Sequence, residues 1–148
     1  MKRSLIAALY GLLFASASVH AQAALNDAAV YRGLGESQGI AAIVTGFIPI
    51  AKSDPRIAAT FEDTDLVQFG KRLAELICEL SGGPCRYTGK YKDKDMATVH
   101  QDMKISNAMF NALVEDLQMA MDERKVPFAT QNMLLSKLAP MQRQIVTR

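Results

Sequence analysis

Residues 66–84 read Leu66-Val67-Gln68-Phe69-Gly70-Lys71-Arg72-Leu73-Ala74-Glu75-Leu76-Ile77-Cys78-Glu79-Leu80-Ser81-Gly82-Gly83-Pro84. Leu66, Phe69, Leu73, Leu76, Ile77 and Leu80 recur at helical spacing over about four turns, while Gln68, Lys71, Arg72, Glu75 and Glu79 take the other sides. Gly82, Gly83 and Pro84 end the helix, because glycine tolerates a left-handed cap and proline cannot continue the hydrogen-bond ladder. The same period continues on both sides. Upstream, a short helix is expected over residues 28–34, interrupted at Gly35-Glu36, and then a helix with Ile40, Ile43, Val44, Phe47 and Ile48 on its apolar face. Pro49 predicts a kink or early stop, and residues 57–61 a short connecting helix. Downstream, Ser106 can cap a helix with Met109, Phe110, Leu113, Val114, Leu117 and Met121 inward. Thr130 starts a last helix bearing Met133, Leu134, Leu138, Met141 and Ile145, which Pro140 should bend. No alternating strand pattern is present, so the expected class is all-α.

Between these lies Met96-Ala97-Thr98-Val99-His100-Gln101-Asp102-Met103. Met96, Val99 and Met103 form one helical stripe, and His100 falls inside it rather than on the wet face. On spacing alone, such an imidazole is either a core histidine satisfied by backbone carbonyls or a metal or haem ligand.

The N-terminus gives an address. Lys2 and Arg3 precede an apolar run over residues 5–15 and small residues ending in Ala21-Gln22-Ala23, the pattern of a secretory signal peptide cleaved after Ala21 or Ala23. The run is too short for a membrane span, so no span is expected in the mature protein. Removing residues 1–23 from 148 leaves 125, enough for one domain over 24–148, and lowers Lys+Arg from 17 to 15, equal to the 15 Asp+Glu. No basic patch remains to suggest nucleic acid. The mixed run Lys90-Tyr91-Lys92-Asp93-Lys94-Asp95 reads as a solvated loop. Cys78 and Cys85 are the two cysteines, and in an oxidising compartment they can pair, although a seven-residue spacing leaves the geometry open.

The order and spacing of Tyr31-Arg32-Gly33-Leu34-Gly35, Phe47, Asp54-Pro55-Arg56, Phe61, Gly82-Gly83-Pro84, Tyr87-Thr88-Gly89, His100, Phe110, Val126-Pro127 and Leu138-Ala139-Pro140 resembles the group 1 truncated haemoglobins across residues 28–146. The resemblance implies a two-over-two helical sandwich around haem b, with His100 as the protein ligand to iron. Phe69, Leu73, Leu76 and Ile77 would lie over the ring, with Phe61 at its edge, Phe47 and Ile48 on the other distal helix, and Met96, Val99, Met103 and Phe110 on the histidine side. Arg72 is a candidate partner for a haem propionate. The family commonly has tyrosine where Ile48 stands and glutamine where Leu73 stands, so the distal pocket is expected to be dry. Four extra residues also separate Gly89 from Met96 relative to shorter members. The implied function is reversible binding of a diatomic gas (oxygen, carbon monoxide or nitric oxide) at five-coordinate iron, served by an unidentified reductant in the periplasm or outside the cell. A haem enzyme acting on nitric oxide or peroxide, and a haem-free helical binding module, are the competing classes.

Overall fold

The structure, a computed structural model, describes residues 27–91 and 94–148. The expected signal segment, residues 1–23, lies outside the described residues. Helix α1 (Asp27–Gly33) meets α2 (Glu36–Ser53) at a bend of 61°. The bend is made where the sequence breaks its apolar pattern: Gly35 has φ 81° and Glu36 φ 58°, left-handed values that glycine adopts without steric cost. Helix α2 runs through Pro49 to Ser53, so the early stop expected there does not occur. Its buried face is Ile40, Ile43, Val44, Phe47 and Ala51.

A 3₁₀ turn (Ala58–Phe61) leads into α3 (Leu66–Leu80). The Asp65 carboxylate opens α3 by accepting the amides of Val67 and Gln68. At the far end, the Gly83 amide donates to the Cys78 carbonyl and the Gly82 amide to the Glu79 carbonyl, with Gly82 at φ 79°, so the double glycine forms a Schellman cap. Cys78 and Cys85 are joined as a disulfide across that cap. Gly83 has no room for a side chain, since a Cβ there would sit 2.6 Å from the Cys78 sulfur and from the Tyr31 ring.

The Lys90–Asp95 run is not a plain loop: β1 (Lys90–Tyr91) and β2 (Lys94–Asp95) pair antiparallel, Lys90 with Asp95 and Tyr91 with Lys94. Strands of two residues are too short to show alternation in sequence. Helix α4 (Met96–His100) follows without a break, then α5 (Asn107–Glu123), α6 (Phe128–Leu138), a 3₁₀ turn (Ala139–Met141) and α7 (Gln142–Ile145). Pro140 sits in that 3₁₀ turn, which is the bend it predicts. Met133 is exposed rather than inward, and buried Gln131 takes the inner face of α6, donating to the Asp122 carboxylate and the Val126 carbonyl.

The layering is two pairs of helices. Helix α2 packs against α3 in one pair and crosses α5 of the other, whose partners are α6 and α7. Phe47, Ile40, Ile43, Ile77, Leu117, Met121 and Leu134 fill the space between. No single helix among the described residues is long and apolar enough to cross a membrane.

Candidate functional site

A cavity of about 350 Å³ opens between α3 on one side and α4, α5 and α7 on the other. Phe69, Arg72, Leu73 and Leu76 of α3 line it, with Phe47 of α2 and Phe61. Met96, Val99, His100, Met103 and Phe110 line the facing side. Two residues expected there lie elsewhere. Ile77 is fully buried in the helix-packing core, because consecutive residues point about 100° apart and Leu76 takes the cavity side. Ile48 faces α3 and lines a second cavity with Val44, Leu66 and Gly70; the absent side chain of Gly70 makes room for it, since a Cβ there would come within 3.0 Å of Ile48 Cδ1.

Helix α4 is only five residues long, opened by the Asp95 carboxylate, which accepts the Thr98 amide. Met103 therefore falls beyond the helix, in a turn held by its amide on the His100 carbonyl, yet still reaches the cavity. His100 Nδ1 lies 2.7 Å from the Met96 carbonyl oxygen. A carbonyl only accepts, so Nδ1 carries a proton, and Nε2 is the ring nitrogen left for another partner. Met96, Val99, Met103 and Met109 line the same cavity with apolar atoms, and an imidazole nitrogen with a free lone pair suits a soft or borderline metal.

The far wall offers few polar groups. Phe61 packs edge-on to Phe69, and Phe47 lies 6.3 Å from Phe69 between ring centres. The hydroxyls of Thr60 and Thr64, which also line the cavity, are spent on the carbonyls of Ile57 and Thr60. Thr45 bonds to the Ala41 carbonyl and lines the second cavity.

Polar chemistry gathers at the rim. Arg72 Nη1 donates to Glu75 at 2.8 Å and reaches Thr88 Oγ1 at 3.4 Å, while its Nε is buried with no acceptor among the described residues. Tyr87, which the sequence reading did not single out as a site residue, lines the cavity; burial pushes its phenol up, so it stays a neutral O–H at neutral pH. Its backbone amide is held by the Glu79 carboxylate. The disulfide fixes the same segment two residues earlier. Lys94 and Asp95 complete the rim from the hairpin. The only advance signal for Tyr87 is its place in Tyr87-Thr88-Gly89.

A family described as Bacterial-like globin matches residues 29–147. The group 1 truncated hemoglobin of Tetrahymena pyriformis is 30% identical over 103 residues, covering 70% of this chain and 82% of that protein. The group 1 truncated hemoglobin GlbN of Mycolicibacterium paratuberculosis is 26% identical over 122 residues, covering 82% and 87%. Among solved structures, the truncated hemoglobin of Tetrahymena pyriformis in its Fe(III) form superposes with a TM-score of 0.74 at 26% identity, covering 80% of this chain and 98% of that one.

Proposed function

The chain belongs to the bacterial-like globin family, and on that premise we propose that His100 would hold haem b in the 350 Å³ cavity and that the haem would supply a binding position for a diatomic gas. Membership of the family implies haem as cofactor. The observation that carries the reading for this chain is the Nδ1–Met96 contact of 2.7 Å, which occupies Nδ1 and leaves Nε2 as the nitrogen free to ligate in a side chain that lines the cavity. A second observation fits the cofactor's acidic edge: the buried Arg72 Nε lacks an acceptor, and a propionate would supply one.

When bound, haem iron supplies an open coordination position for a small ligand. The residues around it set how that position behaves. Phe47, Phe61, Phe69, Leu73 and Leu76 exclude water and offer no hydrogen-bond donor, which favours ligands that gain little from one. Among the described residues no other histidine exists to fill the sixth position. The mature protein is exported under the signal of residues 1–23 to the periplasm or beyond, and the Cys78–Cys85 disulfide suits an oxidising compartment.

Absorption spectra of the purified mature protein in ferric, ferrous and carbonyl-bound forms test the proposal. A five-coordinate ferrous spectrum that converts fully with carbon monoxide is the expected result. Absence of haem uptake, or a six-coordinate ferrous form, would overturn it.

A further inference from the structure

The ring that the haem reading gives to iron stands on a helix of five residues, and the residue just before that helix supplies its cap. We propose that Asp95 is a positioning residue for His100: its carboxylate fixes the Met96 peptide, and the Met96 carbonyl in turn fixes the ring. The inference rests on the haem reading and deepens it.

Two contacts share one residue. Asp95 Oδ1 accepts the Thr98 amide at 2.8 Å, which closes a loop around Met96 and Ala97. His100 Nδ1 lies 2.7 Å from the carbonyl oxygen of that same Met96. Met96 is the first residue of α4, so its carbonyl points at the ring only while residues 96 and 97 keep helical φ and ψ. A helix of five residues gains little from its own ladder, and a cap that satisfies an amide of its first turn therefore carries a large share of its order. Asp95 is itself held from the other side. Its backbone is extended, with φ −73° and ψ 173°, and it ends β2 paired with Lys90 of β1. The hairpin thus hands its position to the ring through one carboxylate and one carbonyl. A ligating imidazole whose other nitrogen donates to a carbonyl is held in one orientation and made a stronger base toward the metal. Loss of the cap loosens that donation without touching the imidazole.

The test compares the ferrous haem forms of the parent, Asp95→Ala, Asp95→Asn and Asp65→Ala, the last removing the corresponding cap of α3 as a control. Resonance Raman gives the iron–histidine stretch, and proton NMR gives the rate at which the His100 ring N–H exchanges with deuterium. Asp95→Ala should lower and broaden the stretching band and speed the exchange about fivefold, the ratio that loss of one cap corresponds to. Asparagine caps as well as aspartate, so Asp95→Asn should match the parent, and Asp65→Ala should match it too. An Asp95→Ala protein with the parent's band and exchange rate would overturn the proposal. So would the same change in Asp65→Ala, which would trace it to lost stability in general, or in Asp95→Asn, which would trace it to charge. A parent that takes up no haem, or shows no iron–histidine band, would overturn the haem reading and the proposal with it, and that result is seen before any variant is compared.

Discussion

Phe61 meets Phe69 edge-on, with ring centres 5.4 Å apart and planes at 68°. With Phe47 behind them, the two rings make the α3 side of the cavity an apolar surface without hydrogen-bond donors. A bound ligand that gathers negative charge gains roughly 1.5–3 kcal/mol from a hydrogen-bond donor, and oxygen gathers far more charge than carbon monoxide. The ferrous protein should therefore bind carbon monoxide well, release oxygen fast and oxidise readily. Leu73→Gln should slow oxygen release by about ten- to a hundredfold, whereas Ile48→Tyr should leave it nearly unchanged, because residue 48 faces the second cavity. Stopped-flow oxygen dissociation from the three proteins decides. Slow release from the parent would point to the Tyr87 phenol as a donor.

Replacing His100 by alanine removes the one imidazole among the described residues that line the cavity. Haem content on purification should fall sharply, and external imidazole should restore a five-coordinate ferrous spectrum by occupying the space left by the ring. Unchanged haem content with an unchanged spectrum would exclude His100 as the ligand.

Asp116 is 2% exposed on α5, and its Oδ2 has no hydrogen-bond partner among the described residues. Burial, reinforced by the negative charge of Asp54, raises its pKa above the ordinary 3.8. A carboxyl raised on folding is most favourable to the fold when protonated, so its contribution is lost as pH climbs from about 3.8 through the folded value. Asp116→Asn should match the parent in strong acid and become the more stable protein as pH rises, the gap levelling off once Asp116 is fully ionised. Urea unfolding of both proteins across pH 4 to 8 measures it. A gap that widens toward acid would refute the assignment.

The disulfide closes a short loop, Cys78 and Cys85 being seven positions apart. Loop-closure entropy of that size is worth about 2–3 kcal/mol. The Cys78→Ala/Cys85→Ala protein should be less stable by that amount in denaturant unfolding. It should also release haemin faster, since the freed segment carries Tyr87 and Thr88 to the cavity rim.

Much of this was legible in the sequence because helices announce themselves by period. Leu66 to Leu80, with its double-glycine end, reads directly as α3, and Met96, Val99 and His100 share the face that the structure turns to the cavity. The rest depends on rotation and contact, which a stripe does not encode. Ile77 and Leu76 belong to the same apolar face, and only the packing of α3 on its neighbours assigns one to the core and the other to the cavity. Ile48 turns aside because Gly70 leaves a gap, a relationship across 22 positions. The stop expected at Pro49 fails because a lost hydrogen bond inside α2 is outweighed by the burial of its flanking apolar residues, Phe47 and Ala51 among them. Tyr87 lies in irregular chain, where no period exists to read.

Helix α4 has five residues, well below the roughly 12–15 at which an isolated helix holds its shape in water. The backbone that aims His100 is thus among the least self-sufficient parts of the chain and depends on the hairpin, on α7 and on whatever fills the cavity. By mass action, a cofactor that engages only the ordered form raises the apparent stability of the whole protein with its own free concentration. If haem is held through His100 as proposed, supply of the cofactor and completion of the fold become a single equilibrium, and without haem the turn that carries His100 is the one left without that support.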